Sequence, residues 1–375
     1  MNRDIRLIGL ALFLWGVGEG LFFYIQPLYI EQLGANPAQV GGVLSLMGLA
    51  AALAYIPTGY LSDRLPRKPV LLGGWLLGFL AVLISALARS WQALAPGLIL
   101  YGLSAYCIPV INAYLATAAR GENLERVFTA TFAAHTAGTV LSPTVGGLLA
   151  EALSMRAVYL ISAVLFALST ATVLGISPQQ PAEKRNRQGG WRLVLTPRFL
   201  RFAGPVLLTF FSMYLLFPLA PNFLADVRGL STARVGALGS VYAVGTTLLS
   251  LALGRLRGEP RAWGLFLGQG LVWASAALLL WAPGMAGAAL AFFLRGAYQA
   301  CRALTQARAG NLLGEARRGL SLGATETVIA AAQVLAPAAA GWLYVVHPVW
   351  PFLAALALVP AGAVLTAALP GDGAI

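Results

Sequence analysis

Twelve stretches of about twenty residues, each nearly free of charge, run through this sequence and dictate its solvent. They lie near 5–27, 39–61, 69–89, 93–115, 128–150 and 157–176. After a polar break they resume at 201–222, 234–253, 263–283, 285–306, 320–343 and 349–369. A helix of that length crosses about 30 Å of hydrocarbon, whereas a spanning strand would need apolar alternation over about ten residues. Runs such as Val70–Leu87 do not alternate, so the spans read as helices. Composition agrees: of 375 residues, 59% are hydrophobic and only 10% charged, and no single water-soluble core could hide so much apolar surface.

The net charge of +12 would fit a nucleic-acid partner if the basic residues clustered on one face. They follow alternate loops instead. With the N-terminus on the cytoplasmic side, nineteen of the 25 Lys and Arg fall in cytoplasmic segments. Four (Arg89, Arg156, Arg228, Arg234) fall in outer loops, and Arg295 and Arg302 lie inside a span. That bias is the mark of topology, and it predicts an inner-membrane protein with both termini cytoplasmic and no nucleic-acid partner. The longest polar stretch, 178–197, divides the spans six and six. The chain therefore reads as an N-terminal half (1–177), a basic cytoplasmic linker (178–197) facing anionic lipid, and a C-terminal half (198–375).

The halves repeat. An offset of 194 residues sets Cys107 on Cys301, Gly102 on Gly296, Asn112 on Gln306, Val140–Pro143 on Val334–Pro337 and Gly147 on Gly341. At 195, Gly59-Tyr60-Leu61 meets Gly254-Arg255-Leu256. A duplicated six-helix unit implies two bundles with a path between them.

The loop between spans 2 and 3 carries a more specific signal. Gly59-Tyr60-Leu61-Ser62-Asp63-Arg64-Leu65-Pro66-Arg67-Lys68 resembles the major facilitator signature Gly-x-Leu-Ala-Asp-Arg-x-Gly-Arg-Lys, with Pro66 in place of the second glycine. The resemblance implies an all-α membrane fold of twelve helices in two pseudo-symmetric bundles, working by alternating access. It also implies a conformational switch at Gly59, Asp63, Arg64, Arg67 and Lys68, in which Asp63 and Arg67 form a charge relay. In span 5, Gly138-Thr139-Val140-Leu141-Ser142-Pro143-Thr144-Val145-Gly146-Gly147 resembles the Gly-x-x-x-Gly-Pro-x-x-Gly-Gly packing segment of exporters, especially proton-coupled drug antiporters. Ser142 stands where those have glycine. Such antiporters often carry an arginine in span 4 where this chain has Tyr101, and the repeat maps Tyr101 onto Arg295.

Ionisable residues inside spans are few: Glu19, His135, Arg295, Arg302 and Glu326. Each charge at depth costs on the order of 3 kcal/mol against lipid, so each must face protein or water. Glu19, mid-span in Gly16-Val17-Gly18-Glu19-Gly20, is the candidate proton carrier, with a permanent pair to Arg295 as the alternative. His135 is a second proton candidate, against a plain packing role. Arg295, Gln299, Arg302 and Gln306 share one face of span 10. Arg302 at similar depth to Glu326 reads as a structural charge pair. Candidate cavity residues are Glu19, Gln26, Asn112, Arg295 and Gln299, with Trp15, Tyr106 and Tyr214 as aromatic wall.

No Gly-x-x-x-x-Gly-Lys-Ser/Thr loop, metal-ligand spacing or enzyme signature occurs, so no ATP, metal or cofactor is expected, and Cys107 and Cys301 read as packing residues. The expected function is proton-coupled efflux of small amphipathic compounds by a monomer. The alternatives are proton-coupled import of a small organic anion, favoured if Arg295 is unpaired, and a non-transporting sensor on the same fold. Single cysteines placed along 178–197 should react with a membrane-impermeant maleimide in inside-out vesicles and not in intact cells. The opposite pattern would invert the topology.

Overall fold

A computed structural model describes residues 2–62, 65–119, 122–180, 196–255, 262–309 and 318–367. The chain is helical throughout these residues. Eight spans are continuous or gently bent helices: α3 (Pro37–Ser62), α4 (Arg67–Leu87), α7 (Leu124–Ala152), α8 (Met155–Leu174), α11 (Thr232–Gly254), α12 (Ala262–Trp281), α15 (Arg318–Val346) and α16 (Trp350–Ala367). The other four are each broken in two: α1 and α2 (Arg3–Phe23, Gln26–Gln32), α5 and α6 (Trp91–Ser104, Cys107–Ala118), α9 and α10 (Pro197–Tyr214, Ala220–Asp226), and α13 and α14 (Gly284–Arg295, Ala297–Ala309). Sixteen segments thus make twelve spans. Among the described residues, eight helical stretches, Arg3–Phe23 and Trp91–Ala118 among them, are long and apolar enough to cross a membrane by length and composition alone.

The breaks fall in spans 1, 4, 7 and 10. Proline explains two of them: Pro27 and Pro221 occupy the first turns of α2 and α10, where a missing N–H is harmless but the preceding helix cannot run through. Gly296 separates α13 from α14, and Ala105 and Tyr106 separate α5 from α6. Polar caps start many of the helices. The side chains of Asn2, Ser90, Asn123, Ser154 and Thr196 each accept from a backbone N–H of the first turn that follows.

The chain forms two compact units, one of Met1–Ala35, Leu46–Asn186 and Gly229–Ser240, the other of Asn36–Ser45, Arg187–Arg228 and Val241–Ile375. In the first unit α1 runs between α7 and α8 and is held at a very short distance. A Cβ on Gly16, Gly20, Gly138 or Gly146 would strike the backbone or side chain of the facing helix, and one on Gly18 would lie 2.8 Å from Phe166. Small residues are what let two backbones approach this closely in lipid. Serine hydroxyls add hydrogen bonds that an apolar surround makes obligatory. Ser162 Oγ donates to Gly18 O (2.9 Å), and Trp75 Nε1 donates to Ser169 Oγ (2.8 Å), which in turn donates to Ala11 O (2.7 Å). Below them Ile5, Ile8, Leu12, Leu71, Ile111 and Tyr114 close an apolar core.

The repeat is visible in contacts as well as letters. Cys107 Sγ points to Leu71 O (3.6 Å) and Cys301 Sγ to Leu265 O (3.8 Å), and both thiols are buried beside a glycine, Gly74 and Gly268. The outer helix surfaces are apolar: Leu141 is 71% exposed and Trp342 69%, as lipid-facing positions require.

The glycine-backed contact of α1 with α7 yields a direct test. Gly146→Val should overpack it and lower the thermal unfolding midpoint in detergent by about 5 °C or more, from a penalty of about 1–3 kcal/mol. Gly42→Val, at a glycine with nothing within 4 Å, should change it little.

Candidate functional site

Glu19 is carried by the second turn from the end of α1, in the glycine-rich stretch that faces α7 and α8. The carboxylate has two polar partners on two other helices. Tyr101 of α5 donates its hydroxyl to Glu19 Oε1 at 2.7 Å, and His135 Nε2 of α7 lies 3.0 Å from Oε2. Gly16, one turn earlier, packs against the backbone of His135, so the same close approach that joins the helices sets the imidazole beside the carboxyl. The pair is shielded without being sealed, with 31% of the His135 side chain and 23% of the Glu19 side chain accessible. A carboxyl and an imidazole in this contact can share and pass a proton, and the phenol holds the carboxylate in one orientation.

An aromatic stack backs the site. Trp15 lies flat against Phe166 (centroids 4.0 Å) and edge-on to Trp75 (5.7 Å), and Phe22 stacks on Tyr159 (4.8 Å). Phe22, Trp75, Tyr159 and Phe166 are fully buried, so most of this cluster is packing that stiffens the wall and only Trp15 keeps an accessible edge. Tyr106 braces the break in span 4 by donating to Val70 O (2.9 Å). Gln26 is buried, with its amide nitrogen 3.7 Å from Met47 Sδ, and Asn112 lies half-buried on α6.

In the second unit Arg295 ends α13, buried and enclosed by rings. Its guanidinium carbon sits 4.0 Å from the Phe292 centroid, 4.4 Å from Phe217 and 5.4 Å from Tyr242, and Nη1 donates to Leu216 O (3.1 Å). The guanidinium meets aromatic faces and the Leu216 carbonyl just beyond α9. Within the first unit Glu19 has His135 and Tyr101 as its partners. Tyr214 stacks on Phe217 (5.1 Å) and tilts against Tyr298 (5.7 Å), and Gln299 follows one turn after Arg295, half-buried. Arg302 and Glu326 form an ion pair between α14 and α15, with Gln306 Nε2 donating to Glu326 Oε2 at 2.6 Å.

Asp63 and Arg64 of the loop motif lie outside the described residues, and Gly59 falls in the last turns of α3. Arg67 is buried at the start of α4, and its Nη1 donates to Ala113 O (3.0 Å), Gln179 Oε1 (3.0 Å) and the Thr117 hydroxyl. Its own N–H donates to Gln179 O (3.0 Å), and Lys68 Nζ donates to Leu174 O (2.8 Å). Asp4 completes the cluster, accepting from Tyr114 Oη and from the Ser177 amide. The motif's cations thus fasten the chain that leaves α8 to the ends of α4 and α6. The span-5 segment faces two ways: Gly138, Ser142 and Gly146 pack on α1, whereas Pro143 and Gly147 pack on the first turns of α11.

Helical spans and lipid-facing apolar surfaces define a multi-pass membrane protein, with an acid–imidazole pair inside its first unit. Residues 8–231 match the Major Facilitator Superfamily, and the chain belongs to that family. It is 28% identical over 275 residues to the multidrug resistance protein MdtG of Yersinia enterocolitica, covering 68% of this chain and 65% of that one. It is 25% identical over 228 residues to the inner membrane transport protein YajR of Escherichia coli, covering 56% of this chain and 50% of that one. The matched stretches therefore span about half to two thirds of these relatives. Among solved structures, the nucleoside transporter NupG superposes with a TM-score of 0.81 over 98% of both chains at 16% identity. That likeness establishes the fold alone.

Tyr101 as a partner of Glu19 and Gln179 as a partner of Arg67 were not legible as contacts in the sequence. The second is open to a clean measurement. Arg67→Ala removes charge-assisted hydrogen bonds worth about 1.5–3 kcal/mol each. Hydrogen exchange across Ser177–Gln179 should accelerate by about tenfold or more, and unchanged exchange would show that the contacts do not hold this segment.

Proposed function

We propose that the chain is a proton-coupled exporter of small amphipathic compounds, with Glu19 and His135 as the seat of the coupled proton. The observation that carries this reading is the 3.0 Å contact of Glu19 Oε2 with His135 Nε2, reinforced at Oε1 by Tyr101. A lone carboxyl in a span would have only bound and free states. The imidazole gives the proton a second seat one hydrogen bond away, on a different helix, so protonation bears on how α1, α5 and α7 hold together. The partial accessibility of both groups lets protons and a ligand reach them without sealing the pair in lipid.

Export and an amphipathic substrate are supported by the span-5 segment and by relatives named multidrug resistance proteins. The alternative of organic-anion import through Arg295 has weaker support, because that guanidinium is enclosed by Phe292, Phe217 and Tyr242. The charge bias of the loops supports an inner-membrane placement with cytoplasmic termini.

The test uses purified protein in liposomes with an imposed pH gradient, ethidium as the probe, and a panel of organic anions in parallel. Wild-type protein should move ethidium against the proton gradient. Glu19→Gln should reduce that flux to the protein-free background with insertion unchanged, and His135→Gln should reduce it strongly. Full gradient-driven flux in Glu19→Gln would remove Glu19 from coupling, and gradient-driven anion entry without ethidium movement would establish the importer instead.

A further inference from the structure

Two serines on corresponding helices each accept from the backbone N–H that directly follows a helix-interior proline. In α15, Pro337 lacks an N–H and bends the helix, which disturbs the ladder around it, where Ala338 N–H would ordinarily bond Val334 O. Ser45 of α3 enters that place. Its hydroxyl donates to Val334 O at 2.6 Å and accepts from Ala338 N–H at 2.9 Å, so that one side chain bridges both ends of a backbone rung. In α7, Pro143 plays the part of Pro337. Ser240 of α11 accepts from Thr144 N–H at 3.2 Å and from the Thr144 hydroxyl at 2.7 Å, directly after the proline. Ser240 lies 195 residues after Ser45, and Pro337 lies 194 after Pro143, so the two contacts are images of each other under the internal repeat.

The surrounding geometry repeats too. A Cβ on Gly41 would strike the Pro337 carbonyl and one on Gly236 the Pro143 carbonyl. A Cβ on Gly341 would lie 3.3 Å from Gly41 Cα, and one on Gly147 3.0 Å from Gly236 Cα. The glycines bring the backbones together, and the serine spends that closeness on a hydrogen bond to a helix opened by proline. The first-unit contact has an addition, since Glu151 Oε2 accepts from Ala233 N–H (3.0 Å) in the first turn of α11.

We propose that Ser45 and Ser240 are positioning residues of the transport cycle: each fills the break that a helix-interior proline opens in a neighbouring helix, and the two contacts are twin latches that must part when these helix ends separate. A latch of this kind suits a moving joint. When it parts, the freed rung can close within its own helix, so neither state leaves a backbone group without a partner in lipid. The inference rests on the transporter reading only in requiring that these ends part during a cycle.

The test needs no substrate and no proton gradient, so it can fail independently of the export reading. Spin labels are placed by Asn36→Cys with Val346→Cys for the Ser45 latch, and by Leu153→Cys with Arg234→Cys for the Ser240 latch. All four positions are exposed, and native Cys107 and Cys301 are buried. Double electron–electron resonance in nanodiscs then reads the populations of short and long distances. Ser45→Ala and Ser240→Ala should each raise the long-distance population about 2- to 10-fold, the range for losing one such hydrogen bond. Ser45→Thr and Ser240→Thr, which keep the hydroxyl, should stay near wild type. Ser162→Ala, which removes an interhelical serine bond elsewhere in the first unit, should leave both distributions unchanged. In a Pro337→Ala background the helix regains its donor, and Ser45→Ala should have no further effect; this arm also serves if Ser45→Ala alone does not fold. Unshifted populations in both alanine variants, an equal shift from Ser162→Ala, or a full Ser45→Ala effect without Pro337 would each overturn the proposal.

Discussion

A carboxyl group inside hydrocarbon has to be met by protein, and the packing of α1 on α7 decides how Glu19 is met. Glycines at 16, 18 and 20 leave α1 without side chains on the faces that touch α7 and α8, and Gly138 and Gly146 do the same on α7. The backbones come close enough for the His135 imidazole to reach Oε2, while α5 delivers the Tyr101 hydroxyl to Oε1. The aromatic stack behind Trp15 holds the wall, and the Trp75–Ser169–Ala11 chain of hydrogen bonds ties α4 and α8 to the same helix. Bulk at any of these glycines would part the helices before it touched the acid itself.

Breaks in the spans follow a pattern with mechanical content. Spans 1, 4, 7 and 10 are divided, and polar side chains lie close to the divisions: Glu19 in α1 and Tyr101 in α5 of the first unit, Tyr214 at the end of α9 and Arg295 at the end of α13 of the second. A helix that stops near a polar side chain offers unpaired carbonyls and a point of flexure, as where Arg295 donates to Leu216 O just beyond α9. The remaining spans are long and continuous and carry the close helix contacts that frame them.

Much of the fold was legible because lipid imposes a length and a composition on every span. The acid at position 19 stood out for the same reason: a charge among glycines and leucines in the middle of an apolar run has no structural excuse. Its partners did not stand out. Tyr101 and His135 lie 82 and 116 residues from Glu19, and no local period encodes such a meeting. In the sequence Tyr101 marks only a position where an arginine is missing, whereas in the structure its phenol is turned on the acid itself. The helix breaks were hidden as well, since hydropathy averages over a proline at a first turn as readily as over any other residue. Arg67 looked like half of a charge relay, and its described contacts are with neutral acceptors on α6 and beyond α8.

The two halves are not copies of equal length, and where they differ is informative. Pro27 and Pro221 are 194 residues apart, yet the next turn's glycines, Gly34 and Gly229, both with positive φ, are 195 apart. The extra residue is Arg228, in the turn after α10, and the spacing returns to 194 by Leu71 and Leu265. Each change of length has therefore been absorbed between helices. A residue gained or lost inside a helix would rotate everything beyond it by about 100°. That would carry Ser45 away from α15, or Cys107 away from Leu71. The ancestral duplication has kept helical phase as a conserved quantity and let the turns accumulate its errors, and the turns are where engineered insertions have room to go.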